Sequence, residues 1–116
     1  MAWQTIATRH FHIQGSEMKF IVYARYVEDK SRVHQARPAH RIYANRLMNA
    51  GKLVAAGPFA DDSGGLFIYD VGSRDEVDAL VGEDPYVTLG AFASFETKPW
   101  QMAGAIAEAF RIGSST

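Results

Sequence analysis

This sequence predicts an α+β chain of order β-α-β-β-α-β, with a four-stranded antiparallel sheet carrying both helices on one face. Three observations point there. Residues 19–26 (KFIVYARY) are rich in β-branched and aromatic side chains, the composition of a strand. Two helical stretches follow, each with its own start signal, at Arg37-Pro38 and at Ser73. Between them two short apolar runs flank a polar, Gly-rich link, the pattern of a hairpin. The arrangement is the split βαβ, or ferredoxin-like, motif.

Taken in order, residues 1–17 show no clear period and read as an N-terminal extension. Met18, at the head of the first strand, is a possible alternative start. In that strand Phe20, Val22, Ala24 and Tyr26 share one face, and Ile21 and Tyr23 the other. From Pro38, Ala39, Tyr43, Leu47 and Ala50 follow helical spacing until Gly51, a C-terminal stop. Residues 52–59 (KLVAAGPF) and 65–71 (GLFIYDV) form the hairpin strands. Ser73 caps the second helix, with Glu76 completing a capping box and Val77, Leu80 and Val81 as its apolar stripe. Residues 91–97 (AFASFET) make the last strand, stopped by Pro99. The tail carries a possible short helix at 103–111. The domain proper is thus 18–101, with 102–116 as a C-terminal tail.

With helices on one face only, the other face of the sheet is open. Ile21, Tyr23, Phe67 and Tyr69 indicate apolar side chains on both faces. An uncovered apolar sheet in a monomer is a large exposed patch, so the expectation is a homodimer with two sheets packed face to face.

Composition narrows the chemistry. At 116 residues, 47% hydrophobic and 22% charged, the chain is one globular domain rather than a disordered segment. A net charge of -1 argues against nucleic acid as a partner. There is no Cys, which removes disulfides, thiolate nucleophiles and Cys-ligated metals. No stretch has the length of a membrane span, and the first residues lack the pattern of a secretory signal. The expected location is therefore cytoplasmic, with no membrane partner. Charge is unevenly placed, +4 over residues 25–46 and -7 over residues 61–84, a pattern that two oppositely charged solvated faces explain.

Among acid–base candidates, His10 and His12 could share one strand face as metal ligands. They lack a third ligand nearby, so a solvated tail is the simpler reading and no metal is expected. His40 is the better candidate. Arg37, three residues earlier, shares its helix face, and a helix opening at Pro38 puts both near the N-terminal end. The free N–H groups there suit an anionic oxygen and keep the imidazole neutral and able to accept a proton. An ordinary half-buried histidine explains the same pattern. Asp84, before Pro85 and Tyr86, is either the cap of a short helix or a carboxylate held to orient an imidazole. Spacing leaves both open. Gly64-Gly65 permits close backbone approach, though a turn explains it as well.

Several motifs in order resemble the YciI-like (YCII-related) family: MKFIVYARY, Arg37-Pro38-Ala39-His40, the run GKLVAAGP, Ser73-Arg74-Asp75-Glu76, Asp84-Pro85-Tyr86 and the closing ETKPW. The resemblance covers residues 18–101. It implies a ferredoxin-like fold paired into a dimeric α/β barrel and an active-site His–Asp dyad, matched here by His40 and Asp84. It also implies a substrate-binding Arg, matched by Arg37. One activity in the family is dehydrochlorination of a chlorinated hydroxyhydroquinone. By that resemblance, His40 removes a proton from an acidic hydroxyl or C–H of a small cyclic substrate, without a cofactor. Asp84 holds its tautomer and Arg37 stabilises the resulting oxyanion. The alternative is a module that binds a small molecule in the same pocket, or an interaction subunit. Where the family often has Gly-Ser at the third strand this chain has Gly64-Gly65, so a hydroxyl there is absent, and Ser63 does not inherit its role.

Overall fold

The structure, a computed structural model, describes residues 18–106. Its elements are β1 (Met18–Tyr26), α1 (Lys30–Asn49), β2 (Leu53–Pro58), β3 (Gly64–Tyr69), α2 (Arg74–Glu83), α3 (Pro85–Thr88) and β4 (Phe92–Gln101). The four strands form one sheet in the order β2-β3-β1-β4, antiparallel throughout. This is the ferredoxin-like α+β fold that the element order predicts.

β1 alternates as its sequence requires. Phe20, Val22, Ala24 and Tyr26 are buried under the helices, while Tyr23 and Arg25 are exposed. Phe67 and Tyr69 pair with Val22 and Phe20 and are also buried, on the helix side. They are therefore core residues, not part of the open face. That face carries Ile21 and Tyr23 beside their β3 partners Ile68 and Leu66, still an apolar patch over the two central strands.

α1 departs from expectation at its start. It begins at Lys30, not Pro38, and its cap is Asp29, whose carboxylate accepts the Ser31 backbone N–H at 3.1 Å. Val33 and Ala36, upstream of the proline, are fully buried in phase with His40, Tyr43, Ala44 and Leu47. Burial of that stripe outweighs the single backbone hydrogen bond that Pro38, lacking an N–H, cannot make. Ser73 caps α2 as expected, its side chain accepting the Glu76 N–H at 3.1 Å, while Glu76 accepts the Gly72 N–H at 3.2 Å. α2 docks on α1 through Tyr43, whose hydroxyl donates to the Leu80 carbonyl at 2.6 Å. Burial pushes that phenol's pKa up to about 12.

β4 also runs further than expected, passing through Pro99 to Gln101. It is an edge strand, where a proline can keep its missing N–H out of the ladder. Residues 102–106 adopt no regular structure. The rest of the anticipated tail helix, residues 1–17 and the pair His10 and His12 lie outside the described residues. No helix among those described is long and apolar enough to cross a membrane.

Candidate active site

His40 sits mid-way along α1 and Asp84 at the junction of α2 and α3. The fold brings these two buried polar side chains together. The imidazole Nδ1 lies 2.9 Å from Asp84 Oδ1 and 3.1 Å from Oδ2. A carboxylate that accepts makes Nδ1 the donor of this bond, and in the tautomer that fits it the lone pair of the imidazole stands on Nε2. Asp84 is at the same time the cap of α3: Oδ1 accepts the Tyr86 N–H at 2.8 Å, and Pro85 takes the first helical position. The cap that spacing allowed is present, and the same carboxylate also meets His40. One carboxylate ends a helix and faces an imidazole.

Nε2 has no partner among the described residues. Every fully buried side-chain nitrogen and oxygen among them is bonded, so Nε2 must reach the surface. His40 lines a cleft of about 260 Å³ between α1 and β2, with Arg41, Ala44, Asn45 and Met48 on the helix side and Ala56 and Pro58 on the strand side. The imidazole is clamped on two other sides. Tyr86 stacks on it with centroids 4.0 Å apart, and Phe67 meets it edge-on at 5.6 Å.

Arg37 is placed differently from expectation. It lies within α1, as does His40, so neither stands at a helix N-terminus and the helix-end argument for an anion does not apply. Its Nε donates to the Tyr86 hydroxyl at 2.7 Å and its Nη2 to Asp62 Oδ1 at 3.2 Å. The guanidinium also lies over the Tyr26 ring, 5.7 Å from its centroid. Arg37 therefore meets His40 through Tyr86 rather than directly. The bond to Tyr86 holds the guanidinium more firmly protonated, and burial pushes the Tyr26 phenol above its ordinary range. Hydrogen bonding to Arg37 holds the Asp62 carboxyl below its ordinary range, with His34 adding to the effect.

Gly65 belongs to this cluster. A Cβ there would lie 3.0 Å from the Gly57 carbonyl oxygen and 3.4 Å from both the Tyr26 hydroxyl and Phe67 Cζ. Ser63 lies in the β2–β3 turn, its backbone N–H donating to Asp61 Oδ1 at 3.0 Å. Sequence reasoning missed Asp62, Tyr26 and Phe67, and gave Tyr86 no part of its own. A β2–β3 turn and core aromatics carry no signal of a site. Among the described residues no three His, Asp or Glu side chains gather as a metal site.

The YCII-related domain model matches residues 18–101, the sheet and helices just described. The chain belongs to the YCII-related family. Among solved structures it is similar to 5-chloro-2-hydroxyhydroquinone dehydrochlorinase from Burkholderia phenoliruptrix AC1100, in complex with 2,5-dihydroxybenzoquinone. That match has a TM-score of 0.63 and 27% identity, and covers 72% of this chain and 93% of the other. A protein of Nitrosomonas europaea, assigned to the antibiotic biosynthesis monooxygenases, shares the fold at a TM-score of 0.52 and 18% identity, covering 80% of this chain and 96% of its own. No curated protein matches the chain. These matches place this YCII-related chain in the dimeric α/β barrel superfamily by fold.

Proposed function

We propose that this YCII-related chain is an enzyme that moves a proton on a small hydroxylated ring, with His40 as general base and Asp84 as its orienting partner. The observation that carries the reading is the buried His40–Asp84 bond, which leaves Nε2 unpaired at a cleft. A ring held in that tautomer accepts a proton at Nε2, and the carboxylate behind it stabilises the imidazolium that forms. The dehydrochlorinase neighbour supplies the substrate class: loss of a hydroxyl proton and a chloride is net loss of HCl, and it needs no redox partner or cofactor. Arg37 contributes positive charge beside Tyr86, where an oxyanion on the substrate is favoured. The working unit in this reading is a homodimer closed over the apolar face of Ile21, Tyr23, Leu66 and Ile68.

The test is chloride release from 5-chloro-2-hydroxyhydroquinone, with binding of 2,5-dihydroxybenzoquinone measured alongside by calorimetry. His40→Ala should lower turnover by about 10²–10⁴-fold, the range of a lost general base, with quinone binding retained. Turnover unchanged in His40→Ala would overturn the assignment. Quinone binding without turnover in the wild type would make the site a binding module.

A further inference from the structure

Arg37 divides its guanidinium between the site and the solvent edge. Nε faces the Tyr86 ring that stacks on His40, while Nη2 is taken by Asp62, at 3.2 Å. The Arg37 side chain is only 19% exposed and that of Asp62 36%, so the carboxylate is the more exposed of the pair and stands on its outer side. Asp62 stands in the turn between β2 and β3 with φ of 59°, a left-handed conformation that Asp adopts more readily than most residues bearing a side chain. Its other carboxylate oxygen is 3.6 Å from His34 Nε2, on the exposed surface of α1. A carboxylate held through one guanidinium nitrogen at the surface is a weak ion pair. A free carboxylate that meets two guanidinium nitrogens is held better.

We propose that Asp62 is a specificity-determining residue: a tethered carboxylate that occupies Arg37 until an anionic oxygen of the ligand displaces it. Arg37 and Asp62 do not line the cleft that holds His40 but meet it through Tyr86. A small ring reaching across Tyr86 is therefore selected by an anionic group that outcompetes Asp62, and a neutral ring gains nothing there. The turn carrying Asp62 is held by Asp62 N–H to the Phe59 carbonyl at 2.8 Å and Phe59 N–H to Gly64 at 2.8 Å. Neither bond involves the Asp62 side chain, so the carboxylate can leave Arg37 with the turn intact. This inference rests on the proposed function only in taking the ligand to enter beside His40.

The probe is benzoate, with phenol as its neutral counterpart, each titrated into wild type, Asp62→Ala and Asp62→Asn. The readout is the Arg37 Nε–H signal in ¹⁵N-resolved NMR. Benzoate should bind Asp62→Ala about tenfold more tightly than wild type and shift that signal, with Asp62→Asn in between. Phenol affinity should stay within twofold in all three. Equal benzoate affinity in wild type and both variants, or an Arg37 signal that benzoate does not move, overturns the proposal. Because Asn keeps the size and polarity of Asp, it preserves the test if the Ala variant folds poorly. The readout needs no turnover, so failure of His40 as a base and failure of Asp62 as a competitor give separate results.

Discussion

Tyr86 lies flat against His40, 18° from parallel, while its backbone N–H donates to the same Asp84 oxygen that takes the imidazole Nδ1–H. With Arg37 bonded to its hydroxyl, this one residue touches three site residues at once. Tyr86→Phe should therefore keep the stack and the backbone bond, costing about 1 kcal/mol for the lost hydroxyl acceptor. Tyr86→Ala should cost about 3–5 kcal/mol, because the residue is buried in an aromatic cluster with Tyr26, Phe92 and His40. Urea denaturation of the two variants measures the difference. Equal losses would mean that the ring does not hold the site together.

Asp84 serves imidazole and helix cap through one carboxylate, and two substitutions separate those tasks. Asp84→Asn retains an acceptor for the Tyr86 N–H, so stability should change by no more than about 1 kcal/mol. It removes the charge that a protonated His40 needs, and turnover should fall by about 10²–10⁴-fold. Asp84→Ala loses the cap as well, adding about 0.5–2 kcal/mol of destabilisation. A stable Asp84→Asn protein with full turnover would leave Asp84 as a cap and nothing more.

Local signals made most of the fold legible, and long-range ones hid most of the site. Strand alternation and the Ser73 capping box are written within a few residues, so they survive into the structure. Pro38 misled because a proline suits a first helical turn better than an interior. The opposing evidence, Asp29 as cap and Val33 and Ala36 in phase with Tyr43, was local too but weaker. Pro99 reads as a strand stop unless the strand is known to be an edge, which is a property of the sheet. His40 and Asp84 are separated by two strands and a helix, and only the family resemblance paired them. Asp62 lies in a segment whose Asp, Ser and Gly content signals a turn, and nothing in its neighbours announces Arg37.

Tyr43 gives stability a dependence on alkaline pH. Its phenol, pushed up to about 12 by burial, donates to Leu80 and so favours the protonated form in the folded chain. A group whose folded value is raised contributes its stability fully below its unfolded value, about 10, and loses it as pH rises through the folded one. Tyr43→Phe should thus be less stable than wild type at pH 8, by about 1–2 kcal/mol for the unpaired Leu80 carbonyl. The gap should narrow between pH 10 and 12, as followed by thermal melts. A gap of constant size over that range would show that the Tyr43 proton is not linked to folding.

Gly64 is required by a contact across the sheet. A Cβ there would lie 1.8 Å from the Ala24 carbonyl oxygen, inside backbone that cannot yield without parting β1 from β3. Gly64→Ala should cost about 3 kcal/mol or more, at the upper end of overpacking losses. Gly65→Ala meets its nearest atom at 3.0 Å and should be milder. Denaturation midpoints in the reverse order would contradict the close approach.

The open sheet face predicts the assembly. Ile21 pairs with Ile68 and Tyr23 with Leu66, so these four side chains form one patch across the two central strands. Tyr23 is 39% and Leu66 36% exposed in the single chain, while the helices cover the opposite face. An apolar patch of this kind lowers its free energy by meeting its own copy across a two-fold axis, where each residue faces the same surface. The wild type should therefore sediment as a dimer at micromolar concentration. Ile68→Asp places a charge at the middle of the patch without touching the helix-side core, so it should yield a folded monomer with unchanged far-UV circular dichroism. Charge in the buried core would unfold the chain instead, and Phe67→Asp, next in sequence but on the other face, is the control for that outcome. A monomeric wild type, or an Ile68→Asp protein that still sediments as a dimer, would refute pairing through this face.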